Sequence, residues 1–334
     1  MVYSYSGQSA NEVWSLATEE LFTQKFSVKS RLGNTKEILH VILSISDPRQ
    51  RWVTQRMPPI SIAFSLAELM WILAGNNESK IINFWNPILP KFCGQDDNYH
   101  GAYGFRIKCN FGFDQLERAY YALKNQPDNR QTVISIWDPK KDFPDIKGLP
   151  VNNDIPCNIC SLIKIRDQKL EWTQIMRSND VFRGLPYNFV QFTSLQEILA
   201  GWLDIEIGSY TQYSDSLHLY KNDENLWINH NDGNNLWNKD NLALNKAMFS
   251  EVIEDIFQRM TIIAKGKISV SELQKLSNLK YQNEAYCNIM FIIAAYAARK
   301  FGFIELERDL ISKCSNELYI RMWENWIHFR NLKE

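Results

Sequence analysis

No apolar run in this sequence approaches the roughly 20 residues needed to cross a bilayer, so no membrane span is expected. The opening stretch, MVYSYSGQSANEVWS, lacks a basic segment followed by an apolar one. No signal peptide is therefore expected, and the expected location is cytoplasmic. Neither sign of charge is in surplus: 37 Lys and Arg face 38 Asp and Glu, a formal net charge of −1. Dedicated nucleic-acid binders carry a basic excess, so no nucleic-acid partner is expected, although a local basic pocket for one phosphate is compatible with these numbers. With 45% hydrophobic content in 334 residues, the chain is neither collagen-like nor disordered and is long enough for a full core. Its six cysteines are scattered, in a chain too large to need disulfide staples, and are expected to be reduced. Only Cys157 and Cys160 form a close pair. A zinc site needs a second pair at suitable spacing, which the sequence lacks, so no metal is expected.

What is present reads as mixed structure followed by helix. Residues 10–26 place Val13, Leu16, Ala17 and Leu21 at helical spacing. Residues 37–46 are β-branched and apolar, a strand signal. Helices are expected over 65–75, 114–125 and 189–204, and strands over 131–138, 160–167, 169–178 and 206–220. The short turn Asp167-Gln168 predicts a hairpin. Residues 221–241 are rich in Asn and Asp and read as a connection. Beyond them, 242–265, 270–279, 283–301 and 303–332 read as helical, and FIIAAYAARKFGF is apolar on almost every face. The expected fold class is α+β, a mixed sheet with helices over 1–225, with an all-helical C-terminal extension over 226–334.

The chemistry concentrates in residues 154–188, DIPCNICSLIKIRDQKLEWTQIMRSNDVFRGLPYN. Cys157 follows Pro156 immediately before a strand, a place from which a thiol can face a cavity. A lone cysteine is more often a small core residue. Arg177-Ser178 closes the paired strand. A guanidinium beside a cysteine favours the nucleophilic thiolate, and the same pair can instead bind phosphate. Asp180, Gly184 and Asn188 follow in a turn leading into a helix. An Asn amide offers donor and acceptor together, which suits the edge of a pyrimidine.

Taken together, these blocks resemble the thymidylate synthase family, which includes the pyrimidine nucleotide hydroxymethylases. Its Pro-Cys motif matches Pro156-Cys157. Its Arg-Ser-x-Asp-(x)3-Gly-Leu-Pro-aromatic-Asn motif matches Arg177, Ser178, Asp180, Gly184, Leu185, Pro186, Tyr187 and Asn188. Its His-x-Tyr motif matches His218 and Tyr220, and AELMWILAG is similar to the helix carrying its catalytic glutamate, placing that residue at Glu68. SRLGNT supplies Arg31, GAYGFR supplies Tyr103-Gly104, and PDNRQ supplies Arg130. The resemblance covers roughly two-thirds of the chain, and several ordered motifs are more specific than one. It implies that Cys157, Glu68, Asn188 and Tyr103 are catalytic. It implies nucleotide contacts from Arg31, Arg177, Ser178, Asn188, His218 and Tyr220, with Arg130 donated across a homodimer interface. It implies 5,10-methylenetetrahydrofolate as one-carbon donor, met by Trp85, Asp180, Gly184 and Tyr187.

The departures set the expected product. Synthases carry His after the nucleophile, where this chain has Asn158. Met176 stands before Arg177, and Gln131 replaces the second arginine of the partner loop. The tryptophan-rich folate segment is kept only loosely, as NFWNP. Synthases end in a short apolar tail that excludes water, whereas this sequence ends in FRNLKE after a helical stretch. A site that admits water turns the methylene intermediate towards a hydroxymethyl product instead of a methyl one. The expected activity is therefore C5 hydroxymethylation of a pyrimidine nucleoside monophosphate. Asn188 and Ser178 favour dUMP, with dCMP or CMP behind it. The alternatives are a true thymidylate synthase and a catalytically silent nucleotide binder.

Overall fold

The computed structural model describes residues 2–26, 28–30, 33–223, 225–229, 236–281 and 283–332. Among them the strands are β1 (Tyr3–Gly7), β2 (Val28–Ser30), β3 (Gly33–Ile45), β4 (Arg56–Met57), β5 (Val133–Ser135), β6 (Asn158–Arg166), β7 (Lys169–Met176), β8 (Asn179–Asp180), β9 (Glu206–Tyr220) and β10 (Trp227–Ile228). The main sheet runs β1-β3-β9-β7-β6-β5, with β2 on β3 and β8 on β9. It is mixed: β3 and β9 pair antiparallel, from Thr35↔Tyr220 to Ile45↔Tyr210, while β7 and β9 run parallel. The expected hairpin joins β6 to β7, and Asp167 and Gln168 both adopt positive φ (49° and 59°), as two-residue hairpin turns require. Mixed sheet and many helices make this an α+β fold.

The helices that frame the sheet are α1 (Ala10–Thr23), α2 (Ile62–Leu73), α3 (Ser79–Asn83), α4 (Pro90–Cys93), α5 (Tyr103–Lys108), α6 (Gln115–Asn125), α7 (Pro139–Asp142) and α8 (Leu185–Leu203). α1 starts in a capping box in which Ser9 and Glu12 satisfy each other's backbone N–H groups. Every residue of α2 except Glu68 is buried, so the only side chain this helix offers to a cleft is a carboxylate.

The C-terminal helices are α9 (Lys246–Ala264), α10 (Val270–Ser277), α11 (Glu284–Lys300), α12 (Ile304–Lys313) and α13 (Glu317–Asn331). The stretch 303–332, expected as one helix, is broken at residues 314–316. Asn316 leaves the helical region and accepts the N–H groups of Leu318 and Tyr319, ending one helix by capping the next. These helices share a core with the preceding residues. The Trp85 indole N–H donates to the Ile293 carbonyl (3.2 Å), Lys300 donates to the Phe84 carbonyl (2.7 Å), and Trp52 meets Tyr319 edge-on at 5.3 Å. The connection over 221–241 contributes β10, which pairs with β4. Among the described residues, no helix is long and apolar enough to cross a membrane.

Candidate active site

Helix α8 carries a polar stripe through the core. Asn188, Gln191, Ser194 and Glu197 recur every three residues and all are buried. A buried polar side chain costs stability unless bonded, so each has an assigned partner. Gln191 donates to Glu68 Oε2 (2.7 Å). Ser194 accepts from Arg51 (2.6 Å). Glu197 pairs with Arg51 and, at 2.8 Å, with Arg49. The first two positions of the stripe meet Asn158 and Glu68, and the last two are held by Arg51 and Arg49.

Burial pushes the Glu68 carboxyl up to about 7, and the bond from Gln191 pulls it part of the way back. A carboxyl titrating near neutrality can give and take protons at physiological pH.

Cys157 lies at the mouth of β6, beside a register break between Asn158 and Cys160. Bulges of this kind re-aim side chains beside active sites. The Arg177 N–H donates to the Cys157 carbonyl (3.0 Å). Its guanidinium donates to the carbonyls of Pro156 (3.0 Å) and Ile155 (3.1 Å). Arg177 thus clamps the backbone that presents the thiol.

Behind Cys157 is a buried amide network. Asn158 donates to Asn188 Oδ1 (3.5 Å) and accepts from Gln174 (2.9 Å). Gln174 in turn accepts from Ser161 (2.7 Å) and Trp172 (3.1 Å). Asn188 Nδ2 donates to Asn179 Oδ1 (3.3 Å). A side chain on Gly184 would meet Asn179 Oδ1 at 2.9 Å, so glycine leaves the room this contact needs. The Tyr103 phenol shares a hydrogen bond with Asn158, and burial raises its pKa well above the ordinary value.

The second wall holds His218, Tyr220, Ser178 and Asp180. Ser178 Oγ and His218 Nδ1 lie 3.5 Å apart, and the His218 and Tyr220 rings meet edge-on at 5.0 Å. Burial drops His218 to about 4, so its ring is neutral at physiological pH. Asp180 Oδ1 accepts the N–H groups of Phe182 (2.8 Å) and Arg183 (2.7 Å). Its Oδ2 is buried, with Arg183 Nε 4.0 Å away and no hydrogen-bond partner among the described residues, and burial lifts the carboxyl to about 6. Arg183 pairs with Asp223 at 2.8 Å and lies over the rings of Phe92 and Tyr220.

A sequence model of the thymidylate synthase family matches residues 43–259, well over half of the chain. The chain belongs to the thymidylate synthase family. It is 30% identical over 236 residues to the deoxyuridylate hydroxymethyltransferase of Bacillus phage SP01, covering 66% of this chain and 60% of that protein. It is 34% identical over 160 residues to the enzyme of the same name from Pseudomonas phage M6, covering 47% and 44%. The chain thus spans less than two thirds of the length of these relatives. The crystal structure of thymidylate synthase from T4 phage aligns with a TM-score of 0.48 at 21% identity, covering 63% of this chain and 76% of that one.

Of the residues expected at the site, the structure gathers Cys157, Glu68, Asn188, Tyr103, Arg177, Ser178, His218, Tyr220, Asp180 and Gly184. Arg31 lies outside the described residues. Its neighbour Ser30 bonds to Tyr220. Arg130 is exposed on the turn between α6 and the edge strand β5 and makes no hydrogen bond among the described residues. Tyr187 spends its hydroxyl on the Ser61 N–H (3.2 Å), tying the start of α8 to that of α2. Trp85, expected to meet the folate, is 1% exposed and bonded to α11. The helical extension has drawn it into the core.

The residues that sequence reading missed are Gln191, Gln174 and Asn179. The first had a signal: Asn, Gln, Ser and Glu at three-residue intervals in NFVQFTSLQE, polar positions in a helix otherwise apolar.

Proposed function

We propose that this chain is a folate-dependent nucleotide 5-hydroxymethylase acting on dUMP. The observation that carries the reaction class is the contact between Gln191 and Glu68, one helical turn from Asn188 and in the same cleft as Cys157. It supports a thiol nucleophile, a carboxyl that titrates near neutrality and an amide base reader working on one ring. The phage relatives named deoxyuridylate hydroxymethyltransferases support the hydroxymethyl branch.

On this reading the Cys157 thiolate adds to C6 of the pyrimidine, and the displaced electrons move to the C4 carbonyl, leaving C5 nucleophilic. Glu68, oriented by Gln191, relays protons, including removal of the C5 proton once the carbon unit is attached. Asn188 has already accepted one hydrogen bond and given one, from Asn158 and to Asn179. One N–H and one lone pair remain. Uracil presents O4 and N3–H, which match this pair in that order, while cytosine presents the reverse. Arg177 and Ser178 supply donors for the phosphate, and neutral His218 with Tyr220 meets the sugar hydroxyl.

5,10-Methylenetetrahydrofolate would supply the one-carbon unit at the formaldehyde oxidation level. The Oδ2 of Asp180, which accepts no hydrogen bond among the described residues, fits an N–H of its pterin ring. Arg130, exposed and without a hydrogen bond among the described residues, supports donation to the phosphate site of a second subunit in a cytoplasmic homodimer.

The deciding experiment is product mass spectrometry with methylenetetrahydrofolate and, separately, dUMP, UMP, dCMP and CMP. A hydroxymethyl product from dUMP is expected. A methyl product with dihydrofolate would make the chain a thymidylate synthase, and tight binding without product would make it a silent binder.

A further inference from the structure

We propose that Asp154 is the general base that delivers water to the methylene carbon in the last step of this reaction. The inference rests on the hydroxymethylase reading above. Asp154 stands three residues before Cys157, and the two intervening residues have their carbonyls held by the Arg177 guanidinium. The carboxylate therefore has a fixed place relative to the nucleophile. Its Oδ2 accepts the Gly101 N–H at 2.7 Å, two residues from Tyr103. A side chain on Gly101 would come within 2.6 Å of the Asp154 carbonyl and 3.1 Å of its carboxyl group. Only glycine permits this approach. The Cys93 thiol, at the end of α4, donates to the same carboxylate. Cys93 and Tyr103 each feel the charges of Cys157, Asp154 and Glu68, so the five groups form one cluster. Two carboxylates thus lie in the electrostatic neighbourhood that Cys93 and Tyr103 share with Cys157, and the adduct chemistry assigns a role only to Glu68.

The hydroxymethyl branch supplies the second role. When hydride is delivered to the exocyclic methylene, no base is required. When water is added, a proton must leave it. Asp154 takes one proton from water as the oxygen bonds to the methylene carbon. The C5–methylene double-bond electrons shift to the C4 oxygen as an enolate. The enolate then collapses, restoring the C5–C6 double bond and expelling Cys157 as thiolate. Nothing is oxidised or reduced. Bonds from Gly101 and Cys93 hold the carboxylate against rotation, so its remaining lone pairs have a fixed direction.

The test uses Asp154→Asn, which keeps the acceptor for Gly101 but cannot act as a base. The readouts are tritium release from [5-³H]dUMP, which reports every step up to the methylene intermediate, and hydroxymethyl-dUMP formation, which also needs water. Tritium release should stay within about threefold of wild type while product falls about 100-fold or more. Added 2-mercaptoethanol should then be recovered as a C5 thioether, and dUMP affinity should not change. Should Asp154→Asn prove insoluble, Cys93→Ala is the second variant, expected to lower product relative to tritium by about fivefold. An unchanged ratio of product to tritium, or parallel loss of both, overturns the proposal. Wild-type enzyme that releases tritium but forms no hydroxymethyl product overturns the functional reading itself, and this proposal with it.

Discussion

Gln191 donates its side-chain N–H to Glu68 Oε2 at 2.7 Å, linking the middle of α8 to the one residue of α2 that is only half-buried, its carboxyl turned inward. This bond favours the ionised carboxylate. Replacing Gln191 with Leu should push the Glu68 carboxyl above about 7 and move the acidic limb of the kcat/KM profile to higher pH. Activity at pH 7 should fall about tenfold and partly recover at pH 8.5. A profile that drops without moving would show that Gln191 only packs.

The same carboxyl links stability to pH. Its folded pKa of about 7 lies above the ordinary value of 4.5. Between these values the folded chain holds a proton that the unfolded chain has released. Its stabilising contribution is therefore full below about pH 4.5 and is lost as pH rises through 7. Glu68→Gln removes this dependence. Its Tm relative to wild type should be higher at pH 8 than at pH 5, measured by calorimetry at both.

Cys157→Ser should abolish turnover while leaving dUMP binding intact. A hydroxyl of similar size preserves the cleft but is not appreciably ionised at neutral pH. Isothermal titration with dUMP alongside a product assay checks both halves. Full activity in this variant would remove Cys157 from the mechanism.

Asn188→Asp should move preference from uracil towards cytosine. A carboxylate accepts from the cytosine amino group and repels uracil O4. Competition between dUMP and dCMP in one reaction gives the ratio, expected to shift at least tenfold. An unchanged ratio would place base reading elsewhere.

Arg51→Met should cost about 3–5 kcal/mol in urea denaturation, because it leaves Glu197, 1% exposed, with only the half-exposed Arg49 for charge compensation. A change below 1 kcal/mol would mean that Arg49 alone neutralises the site.

Much of this architecture was legible because periodicity is local. β9 occupies the expected residues 206–220, and α2, α6 and α8 fall within a few residues of their expected spans. The motifs around Cys157 and Arg177 fall on residues that the structure brings together. What escaped was non-local. Nothing next to Trp85 announces that α11 will cover it, and that partner lies 208 residues away. Helix 303–332 looked continuous because Cys314-Ser315-Asn316 carries no Gly or Pro, and the break depends on Asn316 capping the next helix. Asp154 opens the stretch that holds the motifs but belongs to none of them, and its approach to Gly101 and Cys93 is visible only in the structure.

The bond from Trp85 to Ile293 also bears on biosynthesis. A ribosome adding about 5–20 residues per second needs at least ten seconds to add the 208 residues from Trp85 to Ile293. Throughout that interval the apolar helix α2 and the Phe84-Trp85 segment have been made but lack their cover. The nascent chain therefore carries Glu68, Cys157 and Asn188 for a long part of its synthesis while the helices that complete their scaffold are still missing. This favours a post-translational onset of activity and makes the half-made chain a natural client for chaperones.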